Sequence, residues 1–399
     1  MTITYGKSIH GKEEINAVLE VLKTSTQMGK KVRNFENKIS TLFNKKNGIM
    51  VNSGSSALFL AFKVLNLPEN SNVITPVFTF GTTVGAIIQN NLIPNFVDIN
   101  YNTYCIDVDA IENSIDSNTS AICVPNLIGN LPNWEIIREI ANKHNLHVIE
   151  DSADTLGAKF NSKSTGFYSD ISITSFYGSH IISCAGNGGM FLTNNRDYYK
   201  KANVLRSWGR MSSIIKNSEN INERLGIKLK GIEYDRKFVF SEIGYNFEPS
   251  EISASFGLIQ LKKFKGFNKI RNRNFNLHFN FFTNYKEFFI QPKIKKNIST
   301  NFLAYPLILK ENNIFSRKQL QIYLEKNKIQ TRPIFSGNIL RHPAFENLNF
   351  AQNKRGSFKS SDYIMRNGLL IGCHQGLTER HMNYIHKIVN IFIKKKRKK

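Results

Sequence analysis

The chain has 399 residues, 41 % of them hydrophobic, which is enough for a sizeable core and for two folded units. Its 54 Lys and Arg against 30 Asp and Glu leave a net charge of +24, but apart from the closing run "IKKKRKK" the lysines are dispersed among asparagines and isoleucines. No zinc, helix-turn-helix or basic-aromatic pattern turns that charge into a nucleic-acid signal, and no apolar run reaches the ~18 residues of a membrane span.

The opening "MTITYGKSIHGKEE" lacks a hydrophobic signal core, so a soluble, cytoplasmic protein is expected. Helical periodicity follows in "EEINAVLEVLKT" and "VRNFENKISTLF". "GIMVNSGSSALFLAFKVLNL" reads as strand, Gly/Ser turn and helix, and "NVITP", "LIPNFVDI" and "SAICVPNL" read as strands. The helix "WEIIREIANKHN" leads into the strand "LHVIED". This alternation predicts an α/β fold with a parallel sheet. Residues 211–240 are polar and irregular, as expected of a long functional loop, and "SEISASFGLIQLKKF" is a helix. Beyond it, "FLAYPLIL" and "FSRKQLQIYLEKN" belong to a second unit, giving a large unit over 1–264 and a smaller one over 265–399. Cys105, Cys123, Cys184 and Cys373 have neither CxxC nor metal-ligand spacing and are expected to be reduced core thiols.

Three stretches have the residue types of a cofactor site, each with an ordinary structural explanation. "NSGSSA", between strand and helix, offers free N–H groups and a positive helix end to a phosphate, or is a serine-rich cap. "VIEDSADTLGA" ends a strand in Glu150 and Asp151, where a carboxylate holds a pyridinium nitrogen protonated or caps the next helix. Phe80 in "PVFTFGTT" stacks on a flat ring or fills the core. A fourth, "SFYGSHIISCAGNGGM", would suit an aldehyde cofactor if position 180 were lysine, but it is His180.

Taken in order with "GKKVRNFE", "FVDI" and "GYNFEPSEISASFGLIQL", these motifs resemble the DegT/DnrJ/EryC1/StrS sugar aminotransferases over nearly the whole chain. That resemblance implies an aspartate aminotransferase-like fold (fold type I), with a central, mostly parallel sheet and a smaller C-terminal α/β domain. It implies pyridoxal 5'-phosphate or pyridoxamine 5'-phosphate bound by Gly54, Ser55, Ser56 and Ser175, with Phe80 on the ring, Asp151 at its nitrogen, and Asp154 where such enzymes prefer Gln or His. It also implies a homodimer, with Asn246 reaching the neighbouring subunit's phosphate.

Most members of the family place a lysine at the end of "SFYGSH", and no lysine lies between Lys163 and Lys200 here. Histidine at this place is similar to the family's nucleotide-sugar 3-dehydratases, and "LIGNLPNWE", "GNILRHPAF" and "IGCHQGLTERHM" agree with that subgroup. The implied reaction removes the C3 hydroxyl of a nucleotide-linked 4-keto-6-deoxysugar, with L-glutamate renewing the amine form of the cofactor. An imidazole of pKa ~6.5 suits the proton steps. The segments where one branch has cluster cysteines contain none, so no iron–sulfur cluster is expected, as in the enzymes acting on GDP-4-keto-6-deoxymannose. Phe80 instead resembles the reductase-coupled branch acting on CDP-4-keto-6-deoxyglucose, and a catalytically silent homologue is the third alternative. Asn187 also departs from the acidic residue usual in the family. Arg206, Arg210, Arg332 and Arg341 are candidate contacts for the substrate diphosphate, or ordinary salt-bridging residues.

Overall fold

The computed structural model describes residues 2–215, 220–351 and 357–398; residues 216–219 of the expected loop and Lys399 of the basic run lie outside them. The main sheet of the described residues has seven strands: Asn47–Val51 (β1), Asn72–Pro76 (β2), Ile93–Val97 (β3), Thr119–Pro125 (β4), His147–Asp151 (β5), Ile171–Ser175 (β6) and Gly189–Thr193 (β7). Their order is β1-β7-β6-β5-β4-β2-β3. From β6 to β3 all neighbours are parallel, and β7 is antiparallel to both β1 and β6.

Strand alternation sends the side chains of Ala121 and Cys123 to one face and those of Ile122 and Val124 to the other. Leu58, Ala61 and Phe62 of the helix Gly54–Leu65 cover the first face; Trp134, Ile137 and Ala141 of the helix Trp134–Lys143 cover the second. Each large side chain buried in this way contributes about 1.5–3 kcal/mol. With helices on both faces, the strands read as near-continuous apolar runs, and for that reason "NVITP" was legible.

The helix expected over "SEISASFGLIQLKKF" runs much further, from Glu251 to Thr283. Nothing after residue 264 stops it: the segment has no proline, and Gly266 costs only about 1 kcal/mol in a helix. The expected 264/265 boundary therefore falls inside a continuous helix. Its first part packs in a cluster with Phe35 and Phe176, while Phe275 and Phe282 belong to the C-terminal core with Leu324, Ile371 and Val389. The Glu251 carboxylate accepts the N–H groups of Gly29, Lys31 and Val32 at 2.6, 2.8 and 2.9 Å. It thus caps the helix Lys30–Leu42 from 220 residues away. Gly257 lets Phe35 and Cys184 approach, since a Cβ there would lie 2.5 Å from the Cys184 sulfur.

The C-terminal sheet is antiparallel, in the order Phe289–Ile290, Tyr305–Leu309, Gly368–Ile371, Thr331–Arg332. Within the expected irregular loop, Ile227–Leu229 pairs with Ile232–Tyr234 through a two-residue turn. Lys230 and Gly231 both take positive φ, 50° and 91°, the twist a tight hairpin demands.

Candidate active site

The carboxyl ends of β1, β5 and β6 and the start of β7 meet at one edge of the sheet and bound a cavity of about 670 Å³. At its floor the chain passes from β1 into the helix Gly54–Leu65. Ser53 is the N-cap and accepts the Ser56 N–H at 3.1 Å, so the N–H groups of Gly54 and Ser55 begin the helix beside the cavity. The turn abuts the end of β6: a Cβ on Gly54 would lie 2.7 Å from the Ser175 Cβ. Free N–H groups, the helix dipole and the nearby Ser55 and Ser175 side chains make this a cradle for a phosphate-sized anion.

Asp151 closes β5 with its carboxyl accepting from Thr83 Oγ1 and from the Ala153 N–H, each at 3.1 Å. Burial pushes it up to about 6; those two hydrogen bonds oppose the rise and neighbouring Glu150 adds to it. Glu150, its partner in the sequence motif, points to the other face of the sheet. There it accepts from Ser152 and Ser172 at 2.6 Å and from Asn126 at 3.0 Å, a structural role. Asp154 accepts the Ile128 N–H at 2.9 Å, and burial, with Asp151 nearby, pushes it up to about 7. Two buried carboxyls reluctant to ionise form a site that gains when a cation arrives.

His180 follows β6 in a turn whose N–H bonds to the Tyr177 carbonyl at 3.0 Å. Burial pulls its imidazole down to about 4, with hydrogen bonding to the Ser175 backbone acting upward and the Arg271 guanidinium downward. Phe80, Tyr5, Tyr177 and Asn187 border the same space, and Leu303, Arg332, Phe335 and His342 close it from the C-terminal unit.

The structure thus brings together Gly54, Ser55, Phe80, Asp151, Asp154, Ser175, His180 and Arg332 of the expected set. It does not bring Ser56 in: that hydroxyl turns back to Asn52 at 2.7 Å and Ser53 at 2.9 Å. Asn246 is exposed beside Ser207 and does not line the cavity of its own chain. Arg206 is buried, its Nη1 on Glu36 at 2.8 Å and on the Met50 carbonyl at 2.9 Å. Arg210 stacks on Trp208 at 4.3 Å, and Arg341 forks onto Asp362 at 3.1 and 2.6 Å. For Arg206 the consequence is direct. Arg206→Met is expected to cost about 3–5 kcal/mol in urea denaturation by stranding the buried Glu36, and to leave substrate KM within about twofold.

Sequence reasoning passed over Tyr5, Phe335 and His342, which enter from distant segments. Tyr177 and His342 could have been found, since they lie inside the quoted motifs "SFYGSH" and "GNILRHPAF".

The family model for the DegT/DnrJ/EryC1/StrS aminotransferase family matches residues 8–390. The lipopolysaccharide biosynthesis protein RfbH of Salmonella typhimurium is 33 % identical over 362 residues, covering 88 % of this chain and 82 % of that one. The dTDP-4-dehydro-2,6-dideoxy-D-glucose 3-dehydratase of Saccharopolyspora spinosa is 29 % identical over 403 residues, covering 98 % and 86 %. Among solved structures, the E. coli GDP-4-keto-6-deoxy-D-mannose 3-dehydratase with bound hydrated PLP superimposes with a TM-score of 0.85 at 26 % identity, covering 97 % of this chain and 100 % of that one. A GDP-4-keto-6-deoxymannose 3-dehydratase holding a trapped PLP-glutamate geminal diamine matches with the same TM-score and identity, covering 97 % and 99 %.

The residues present fit that cofactor. The cradle at Gly54 has room for a phosphate and, through the missing Cβ, no room for a side chain, while Asp151 offers a buried carboxyl to a ring nitrogen. Sheet order, cavity and ordered motifs agree from one end to the other: the chain belongs to the DegT/DnrJ/EryC1/StrS aminotransferase family.

Proposed function

We propose that this protein removes the C3 hydroxyl of a nucleotide-diphosphate 4-keto-6-deoxyhexose, with L-glutamate renewing the amine form of its cofactor, on the way to a 3,6-dideoxysugar of a surface polysaccharide. The observation that supports this most is His180 at the place of the family's lysine, in a cavity lined by no lysine among the described residues. The relatives named as 3-dehydratases support it as well.

When bound, the cofactor would supply an amine for the C4 ketone and a conjugated system through which the electron pair left by a lost carbon-bound proton would pass to C3, so that the C3–O bond breaks with its pair on oxygen. The Gly54 and Ser55 N–H groups and the Ser55 and Ser175 hydroxyls bind the phosphate. Asp151 would hold the ring nitrogen protonated, Phe80 would stack on the ring, and Asp154, in the turn after β5, would complete the cofactor's surroundings. His180 takes a proton from carbon and gives it to the departing C3 oxygen, so that the group leaves as water. The sugar released is an enamine that hydrolyses to the 4-keto-3,6-dideoxy compound and ammonia. Arg332, exposed and without a carboxylate partner among the described residues, is available to the diphosphate.

A second copy completes the site in this proposal. Phe238, Phe240 and Ile243 lie exposed just before Asn246, with Ile243 92 % accessible, an apolar surface that water disfavours. Phe240→Glu with Ile243→Glu is expected to give a monomer in sedimentation and to weaken cofactor binding about tenfold or more through loss of Asn246 from the partner's phosphate.

The deciding experiment supplies PLP, L-glutamate and GDP-, CDP- or dTDP-linked 4-keto-6-deoxyhexoses. Ammonia released one-for-one with a 3-deoxygenated sugar is the expected result. An aminated sugar without ammonia would make the protein an aminotransferase, and product only with an added electron donor would place it in the reductase-coupled branch. No reaction with glutamate at all would leave the silent homologue.

A further inference from the structure

Arg271 lies within the helix Glu251–Thr283 with none of its surface exposed. The ionisable groups that most favour its charge are the Cys373 thiol and the Tyr5 phenol, both kept protonated by burial, so the guanidinium has no counter-ion among the described residues. A cation in that position is costly unless carbonyls replace its hydration. Nη1 donates to the Phe302 and Leu303 carbonyls at 3.0 and 3.1 Å, and Nη2 donates to the His180 carbonyl at 3.1 Å. Nε has no acceptor among the described residues, so the head group is committed to those three oxygens.

Two of these carbonyls, those of His180 and Leu303, belong to residues on opposite walls of one cavity, and that of Phe302 adjoins the Leu303 wall. Leu303 closes it from the C-terminal unit, and His180 stands in the turn after β6. We propose that Arg271 is the positioning residue for His180: by joining its carbonyl to those of Phe302 and Leu303 it sets the imidazole at a fixed height between the two walls. The inference rests on His180 moving the proton, as in the dehydratase reading. Arg271 also has an electrostatic part. Around His180 stand Arg271 behind the turn, Tyr177 beside it at 5.8 Å between rings, and Asp151, Asp154, Tyr5, Arg332 and His342 around the cavity. Around Arg271 stand Cys373, Tyr5 and His374. Of these, the Arg271 guanidinium acts on the imidazole through its charge, favouring the neutral, proton-accepting form.

The test uses full-length protein labelled with 13C at its histidines, as wild type, Arg271→Gln, Arg271→Lys and His180→Asn; loss of a signal in the last assigns His180. In the cofactor-free protein the His180 titration midpoint is expected to rise by about one pH unit in Arg271→Gln and to stay near wild type in Arg271→Lys. In the pyridoxamine-phosphate form, kcat is expected to fall about 10–100-fold in Arg271→Gln and about 3–10-fold in Arg271→Lys, with cofactor affinity within about threefold. A folded Arg271→Gln with wild-type kcat and an unmoved midpoint overturns the proposal. So does a parallel collapse of kcat, cofactor affinity and melting temperature in both variants, which marks a structural prop. Should Arg271→Gln not fold, wild-type kcat in Arg271→Lys overturns it alone, because one ammonium cannot span three carbonyls. If His180→Asn itself turns over at the wild-type rate, the dehydratase reading is what has failed.

Discussion

His180→Asn is expected to lower the rate of dehydration by about 10²–10⁴-fold while leaving cofactor affinity within a few-fold. The asymmetry follows from the layout of the cavity. The groups that would hold the phosphate and the ring nitrogen, at Gly54, Ser55, Ser175 and Asp151, lie on other strand ends, and asparagine fills nearly the same space as imidazole without its proton chemistry. Single-turnover kinetics with the pyridoxamine-phosphate form checks the rate, and equilibrium absorbance checks the affinity. A variant that keeps wild-type kcat would remove His180 from the mechanism. The companion change, His180→Lys, restores an amine and is expected to yield a borohydride-fixed adduct with pyridoxal phosphate that the wild type cannot form. The sign of the pH effect can be stated too. The folded imidazole sits at about 4, below the ~6.5 of an unfolded histidine, so the unfolded chain protonates first. His180 therefore stays a free base through the neutral range, and the stability it contributes is lost as pH falls from ~6.5 toward 4.

That a histidine occupies the centre of the site was legible because the motif around it is a continuous stretch of chain. "NSGSSA", "VIEDSADTLGA" and "SFYGSH" each span a strand end, and strand ends of a parallel sheet converge, so local motifs sufficed to place Gly54, Asp151 and His180 together. The arginines were not legible in the same way. "LRSWGR" reads identically whether Arg206 faces a diphosphate or Glu36, and the choice was made by Glu36 on the helix Lys30–Leu42, 170 residues away. Arg341 met Asp362 by the same kind of distant pairing, while Arg332 met no carboxylate among the described residues and stayed available. Tyr5 gave no signal, since nothing local distinguishes it from other aromatic residues until the chain folds over the sheet, and His342, though inside "GNILRHPAF", was not separated there from its neighbour Arg341. The long helix was cut short in the sequence reading because its amphipathic stripe changes partner along its length, from the Phe35 cluster to the C-terminal core, and a stripe that changes partner loses its period.

Asp151→Asn is expected to reduce turnover by about 10²–10³-fold, the scale of losing one preorganised electrostatic partner of the reaction. Unlike the change at His180, it should also weaken cofactor binding and change its pH dependence. In the cofactor-free protein burial holds Asp151 at about 6 against ~3.8 unfolded. The folded state therefore binds the proton more tightly, and the stability this contributes is present at low pH and is lost as pH rises through 6. The shift corresponds to about 3 kcal/mol at most. A protonated ring nitrogen beside the carboxylate removes that penalty, so the rise in melting temperature on adding pyridoxal phosphate should be larger at pH 7.5 than at pH 5. Asparagine carries no charge to be relieved, and in Asp151→Asn most of that difference should vanish. A remainder is expected from Asp154, which has the same sign and extends to about 7. Differential scanning calorimetry at the two pH values, with and without cofactor, makes the comparison. Equal pH dependence in wild type and variant would show that Asp151 does not meet the ring nitrogen, and the cofactor's electron-withdrawing power would then need a different source within the cavity.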